Sequence, residues 1–297
     1  MRKGVTIIIP NYNGQELLRR NLPKVISAAN YKRNKIVEII VIDDASLDKS
    51  VNLLQSEFPE VKLIKHRVNR GFSAAVNTGA RNAKGEFLCL LNSDTIPRKD
   101  FLSYALTHFK YRDIFAVSFH ERGFGWARGS FERGFVNHSS IEGKKPHDTF
   151  WVNGGSGIFR RSLWMKLYGM DDKLFSPFYW EDVDLSYRAL KRGYRLVWEP
   201  HSIVDHKHET TIGKISQKER EKIQERNQLI FIWKNITSPI LFRKHLFGLL
   251  TRVSAHPGFL KIILLSLFKI RIIVKARKRE KKESKVSDEA IFAVFAK

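Results

Sequence analysis

The sequence predicts an α/β fold, with a mostly parallel sheet and helices on both of its faces. Two observations carry this. Across the first 120 residues, short β-branched runs alternate with longer helix-forming stretches, the pattern of repeated strand–helix–strand units. The runs are also continuously apolar, which suits a sheet covered on both faces. Ligands of such sheets bind beyond the carboxyl ends of the strands. The residues that end each run are therefore where chemistry is expected.

The elements follow in order. Val5–Ile9, Val37–Ile42, Val61–Lys65, Glu86–Leu91 and Phe115–Phe119 read as strands. Gln15–Ala29, Leu47–Phe58, Ser73–Ala83 and Lys99–Lys110 read as helices. Glu121–Thr149 is rich in Gly, Arg, Ser and His, has weak periodicity, and is expected to form loops or an insertion near the site. Patterning resumes from Phe150 to about His208, with a helix over Glu181–Arg192 and a short strand over Arg195–Trp198. Ser216–Asn235 is helical, and the chain beyond Pro239 is basic and helical, most strongly charged over Lys275–Lys285. This reading divides the chain into an α/β domain over 1–215, with halves 1–97 and 98–215, and a helical, basic extension over 216–297.

The 297 residues suffice for one sizeable α/β core plus an appendage. Lys and Arg number 53 against 30 Asp and Glu, a net charge of +23, which points to an anionic partner. Nucleic acid is disfavoured, because the charge forms no helix-turn-helix or zinc module and carboxylates at strand ends would repel phosphates. Cys89 is the single cysteine; it reads as a small buried hydrophobe and fits the cytosol. The N-terminus runs straight into a strand, with no secretory apolar segment. The longest apolar stretch, Gly258–Val274, is interrupted by Lys261, Lys269 and Arg271. As a helix it would set Lys261, Ser266 and Lys269 on one side, which suits a membrane interface better than a span. The alternative is a helical hairpin packed on the domain.

Five motifs sit where chemistry is expected. Pro10-Asn11-Tyr12-Asn13-Gly14 follows the first strand and makes either an ordinary turn or one whose aromatic stacks on a base. Asp43-Asp44-Ala45-Ser46 ends the second, where a carboxylate either caps a helix or accepts from a base or ribose. Asn92-Ser93-Asp94 ends another, and Asp94 there either caps a turn or holds a divalent cation. Glu181, Asp182 and Asp184 crowd a helix start behind Phe178, Tyr179 and Trp180. The helix dipole alone favours acids there, but one of them can also serve as a general base. His201, His206 and His208 fall within eight residues, as candidate metal or phosphate ligands.

The ordered set adds Asn69-Arg70-Gly71-Phe72 with Asn77 and Gly79, Gly154-Gly155-Ser156-Gly157, and Arg188 after the acidic helix start. From Val5 to about Asn235 it resembles family 2 glycosyltransferases of the GT-A fold, in particular the rhamnosyltransferase-like bacterial members. The resemblance implies a nucleotide-sugar donor, with Pro10, Asn11, Tyr12 and Asp44 at the base and ribose and Gly71 and Phe72 nearby. It implies Mg²⁺ or Mn²⁺ on Asp94, at the family's Asp-x-Asp position, beside Asn92 and Ser93. Asn92 replaces the motif's first acid, which leaves room for His206 as a further ligand. Gly154 and Gly155 would let backbone approach the donor sugar, Asp182 would be the general base, and Glu181 would orient the acceptor.

The implied reaction is inverting transfer from dTDP-rhamnose or a UDP-hexose to a glycan or lipid-linked acceptor in cell-surface polysaccharide synthesis. The implied place is the cytoplasmic face of the membrane, against its anionic surface. Asn92 keeps open a glycosyltransferase-like protein of impaired activity. A nucleotidyltransferase would need a Gly-rich basic signature where Asn11-Tyr12-Asn13 stands. A processive synthase would need spans and a Gln-x-x-Arg-Trp motif, and the sequence has neither.

Overall fold

The apolar runs become strands and the stretches between them helices, in a computed structural model that describes residues 2–206 and 215–296. In chain order the first elements are β1 (Arg2–Asn11), α1 (Gln15–Ala29), β2 (Ile36–Asp43), α2 (Ser50–Glu57), β3 (Lys62–Lys65), α3 (Phe72–Asn82) and β4 (Gly85–Leu91). Then come β5 (Thr95–Pro97), α4 (Phe101–His108), β6 (Ile114–Glu121), β7 (Trp126–Glu132), β8 (Phe135–Ile141), β9 (His147–Asp148), β10 (Ser156–Arg160) and α5 (Arg161–Lys166). The last are α6 (Glu181–Lys191), β11 (Arg195–His206), α7 (Gln217–Asn235), α8 (Pro239–Ala255), α9 (Leu260–Leu267), α10 (Ile270–Glu283) and α11 (Asp288–Phe295).

Among the described residues the main sheet runs β3-β2-β1-β4-β10-β6-β11-β5, with β9 added on β11. The pairs β3–β2, β2–β1, β1–β4 and β6–β11 are parallel. β10 enters antiparallel between β4 and β6, and β5 and β9 lie antiparallel on β11. Strand alternation divides the apolar core between the two faces. Ile7 and Ile9 of β1 pack with Leu18 and Leu22 of α1 and Leu53 of α2, whereas Ile8 packs with Val76 of α3, Trp164 of α5 and Leu185 of α6. Helices on both faces are thus the direct result of strands apolar on both sides. Cys89 lies wholly in this core, where burial pushes its thiol well up.

Three expectations are corrected. Glu121–Thr149 is not loop: β7 and β8 form an antiparallel hairpin in register from Trp126↔Ile141 to Glu132↔Phe135. Its two-residue turn, Arg133 (φ 49°) and Gly134 (φ 85°), has the left-handed geometry tight hairpins need. Trp126, Ala127, Phe135 and Val136 join a second core with α7 to α11, and the charged and small residues between them hide that pattern.

The strand at Arg195 does not stop at Trp198. It shifts register between Glu199 and Ile203, beside Pro200, then pairs β6 again and continues to His206. A Pro at a bulge removes no needed ladder bond. His201 lies at that bulge, pairs with Glu199 at 2.8 Å, and is exposed; it does not line the cleft described below. His208 lies outside the described residues.

The Gly258–Val274 helix is broken. α9 ends at Leu267 and α10 starts at Ile270, with no Pro or Gly between. Lys269 at the break donates Nζ to the carbonyls of Lys173 (2.8 Å) and Leu174 (2.9 Å), contacts that sequence periodicity does not reveal. The expected polar side is split: Ser266 is buried and Lys261 exposed, while Leu260, Leu264, Leu267 and Phe268 face solvent.

Residues 216–297 are more than an appended tail. Lys191 of α6 pairs with Asp288 (2.8 Å), and Arg192 with Glu280 (2.7 Å) and Glu283 (2.5 Å), all in the C-terminal helices. No helix among the described residues is long and apolar enough to cross a membrane.

Candidate active site

The carboxyl ends of β1, β2 and β4 open on one side of the sheet, and a cleft of about 400 Å³ lies there. At the end of β1, Asn11 donates Nδ2 to Asp43 (3.0 Å) and Ser46 (3.2 Å), which ties the first turn to the second. Asp43 is thereby used in the turn, and Asp44 points on into the cleft. The buried Asp44 carboxylate accepts from Arg70 N (3.0 Å) and Gly71 N (2.7 Å) and meets His66 Nδ1 at 2.6 Å. So Asp44 lines the cleft and also fixes the Gly71–Phe72 loop. Gly71 has φ 84°, a conformation glycine adopts without strain.

Asp94 is fully buried, and neither carboxylate oxygen accepts a regular hydrogen bond from a described residue. Such an orphaned acid is costly without a cation. His206 Nε2 stands 3.0 Å from it, and His206 Nδ1 stands 3.1 Å from Glu121. β11 carries His206 there beyond its bulge, opposite Thr95 of β5. Burial pushes His206 down, but the Asp94 and Glu121 carboxylates beside it outweigh burial and raise the imidazolium to about 9. Glu121 also accepts from Asn153 Nδ2 (2.9 Å) and from Ser156 Oγ.

Without a metal, the cationic histidine bridges the two acids. No group of three or more His, Cys, Asp or Glu among the described residues is arranged around a metal position. The donor set still fits a hard divalent ion, which Mg²⁺ and Mn²⁺ sites commonly hold on one or two protein ligands plus substrate phosphates.

Across the cleft lies the N-terminus of α6, where the three acids diverge. Asp184 faces inward to Arg188 (2.8 Å), Lys234 (2.8 Å) and Asn235 (2.8 Å). Burial would raise it, but Arg188 and Lys234 hold it at about 2. Glu181 and Asp182 face the cleft. Asp182 accepts from Gly154 N (3.3 Å) and Val183 N (2.8 Å). Burial exceeds the effect of these bonds and pushes Asp182 up to about 6. Burial, then the Asp182 charge, push Glu181 well above its usual range, and its Oε2 has no partner among the described residues.

The turn before these acids is strained. Tyr179 (φ 72°) and Trp180 (φ 75°) are both left-handed, at a cost of order 1–3 kcal/mol each. Asn227 of α7 holds the turn by donating Nδ2 to the carbonyls of Phe175 (3.1 Å), Phe178 (2.9 Å) and Tyr179 (2.8 Å).

Pro10, Asn11, Tyr12, Asp44, Gly71, Phe72, Asn92, Ser93, Asp94, Gly154, Gly155, Glu181 and Asp182 all line this one cleft. His206 joins it through Asp94. One local reason differs from expectation. A Cβ at Gly155 would lie 2.3 Å from Asn92 Nδ2, so Gly155 makes room for Asn92 rather than leaving open space. Glu121, Asn153 and Asn227 were not foreseen. Glu121 gave a signal, since it ends an apolar strand as Asp94 does. Asn227 gave none, because it sits within an ordinary helix.

A parallel four-strand half with a ligand cleft at its rim, facing paired acids on a helix start, defines a GT-A glycosyltransferase architecture. The chain belongs to glycosyl transferase family 2: that family's model matches residues 6–167, and the model of glycosyl transferase family group 2 matches residues 87–294. It is 28% identical over 221 residues to the pre-mycofactocin glycosyltransferase of Mycobacterium tuberculosis, covering 71% of this chain and 44% of that protein. It is 28% identical over 218 residues to the poly-β-1,6-N-acetyl-D-glucosamine synthase of Staphylococcus aureus, covering 67% and 48%. The chain thus spans about half the length of these curated relatives.

Among solved structures, GalNAc-T7 with UDP, GalNAc and Mn²⁺ superposes with a TM-score of 0.66 at 20% identity, covering 80% of this chain and 48% of that one. A mannosyltransferase of Pyrobaculum calidifontis with GDP-Man and Mn²⁺ gives 0.58 at 18% identity, covering 100% and 86%. These likenesses establish the fold.

Proposed function

We propose that the protein is an inverting glycosyltransferase that moves a sugar from a nucleotide-sugar to an acceptor hydroxyl. The observation that carries this is one cleft with two dissimilar acids, the buried Asp94 paired with His206 and the half-buried Asp182 pushed up to about 6. An acid near 6 is ionised at neutral pH yet basic enough to take a proton. Asp182 accepts the proton of the acceptor hydroxyl as that oxygen bonds to the anomeric carbon. The bond from that carbon to the diphosphate breaks on the opposite side, and the nucleoside diphosphate leaves with the electron pair. One displacement inverts the centre. Glu181 orients the acceptor. Pro10, Asn11, Tyr12 and Asp44 hold base and ribose, with Gly71, Phe72, Asn92, Ser93, Gly154 and Gly155 around the rest of the donor. Asp94 and His206 would hold Mg²⁺ or Mn²⁺, which supplies charge neutralisation for the departing diphosphate.

dTDP-rhamnose and a UDP-hexose are the donors to try first. The relative named for poly-N-acetylglucosamine synthesis supports a cell-surface glycan or lipid-linked acceptor. A thermal-shift panel of nucleotide sugars with and without Mn²⁺ tests the donor site, because a bound donor raises the melting temperature. NMR of the product anomer tests inversion, and retention of configuration refutes the mechanism.

On this proposal the reaction takes place at the anionic inner face of the cell membrane. Support comes from Leu260, Leu264 and Leu267 of α9 and from Phe268 just after it, which face solvent, Phe268 at 86% exposure, while Ile262 packs inward. A soluble helix turns them inward. Between Pro239 and Lys282 the sole acid is Glu280, and it is buried against Arg192. The exposed groups of this segment are therefore mainly apolar and basic, the composition that binds anionic lipid. Vesicles containing phosphatidylglycerol should sediment the protein, and Leu264→Ser with Phe268→Ser should abolish this. Equal sedimentation of both forms refutes the placement.

A further inference from the structure

A second cleft, of about 590 Å³, lies between the β7–β8 hairpin, α7 and α8. Trp180 forms part of its wall, and the next two residues, Glu181 and Asp182, line the donor cleft. α7 links the two hollows in the same way. Ile215, just before the helix, lines the donor cleft, whereas Glu221, Gln224 and Gln228 on its first turns line the second. The chain thus passes from the wall of one hollow to the wall of the other at the proposed base.

The chemistry of the second cleft differs from what the chain's charge suggests. Three carboxylates (Glu132, Glu221 and Glu225) meet two guanidinium groups (Arg133 and Arg252) in its wall, in a protein of net charge +23. Arg252 is already committed, paired with Glu225 at 3.1 Å and lying over Phe135 and Phe259. Such a wall does not attract phosphates or uronates. Its amides are the groups on offer: Asn137 and Gln224 are exposed and make no side-chain hydrogen bond among the described residues. An amide presents both a donor and an acceptor, which matches a pair of neighbouring hydroxyls. Trp180 and Phe135 back the cleft but are buried, Phe135 beneath Arg252, so the amides carry the recognition. A few placed polar groups in a concave site is how small polar ligands are oriented.

From this we infer that the second cleft is the acceptor's docking subsite, and that it takes uncharged sugar units of a glycan whose terminal hydroxyl reaches Asp182. The inference rests on the transfer reading and names its acceptor class. An acceptor of several sugars spans both hollows; a single sugar fills only the first.

The test uses the full chain and defined probes: maltotetraose, cellotetraose and chitotetraose, their monosaccharides, and a hyaluronan tetrasaccharide as the anionic control, each followed by saturation-transfer NMR. At least one neutral tetrasaccharide should bind about tenfold more tightly than its monosaccharide, and Asn137→Ala with Gln224→Ala should remove that advantage, the worth of one or two hydrogen bonds. Glu132→Lys with Glu221→Lys should move the preference toward hyaluronan. The thermal shift produced by the nucleotide diphosphates should be unchanged in both double variants. Binding of no neutral tetrasaccharide, preference of the unaltered chain for hyaluronan, or an Asn137/Gln224 variant that binds like the parent each overturns the inference. Absence of any nucleotide shift in the parent, with glycan binding intact, instead overturns the transfer reading and leaves the glycan cleft standing.

Discussion

The two walls of the main cleft are held by different means. On the wall proposed for the donor, Asn11 and Asp44 stand at strand ends and take partners from the neighbouring turn: Asn11 on Asp43 and Ser46, Asp44 on Arg70 and Gly71. The sheet ladder brings those turns together, so the wall is self-supporting. The acid-bearing wall is imposed from afar. Its turn is left-handed at two non-glycine residues, Asn227 clamps it, and α6 is moored to α7, α10 and α11 through Asp184–Lys234, Lys191–Asp288 and Arg192–Glu280. A wall built from local ladder contacts tolerates damage elsewhere. A strained turn persists only while distant helices over-determine it.

The comparison is sharpest where one wall is disabled and the other left intact. Asp182→Asn should lower kcat by about 10³-fold, within the range for loss of a general base, while the nucleotide-induced thermal shift persists. Loss of nucleotide binding as well would mean the walls are not separable. Asn227→Ala removes the donor for three carbonyls and should cost about 2–3 kcal/mol in a urea titration. Its kcat should fall several-fold more than its nucleotide affinity, and an equal fall in both would break the comparison.

A pH series separates two acids only two positions apart. Asp182, raised by burial to about 6, favours the fold below its ordinary carboxylate range, and this contribution is lost as pH rises through 6. Asp184, held at about 2 by Arg188 and Lys234 against burial, favours the fold above its ordinary range and loses that contribution as pH falls toward 2. Asp182→Asn should therefore be more stable than the parent at pH 7.5 and indistinguishable from it below pH 4, as melting temperatures against pH will report. If Asp182 is the base, kcat/KM of the parent should fall as pH drops through about 6. The smallest effect is expected on the self-supporting wall. Gly71→Ala meets a left-handed φ and should cost about 1 kcal/mol, weakening nucleotide binding a few-fold while leaving the pH profile unmoved.

Much of this molecule was legible along the chain. Strand–helix alternation and runs apolar on both sides dictate a covered, largely parallel sheet. Acids and asparagines that end such runs must emerge at its rim, because strand geometry is local and repeats every two residues. What tertiary structure alone decided is how chemically similar neighbours came to differ. Glu181, Asp182 and Asp184 look alike in sequence, yet Asp184 is neutralised by Lys234 and the other two are left to the cleft. His206 meets Asp94 on the stretch of β11 beyond its register shift near Pro200. The hairpin at 126–141 closes on helices more than 80 residues away, and the helical run from Leu260 breaks at Lys269, which finds two carbonyls at 173 and 174. Periodicity reports which side of an element is apolar; burial, pairing and charge depend on what the rest of the chain brings against it.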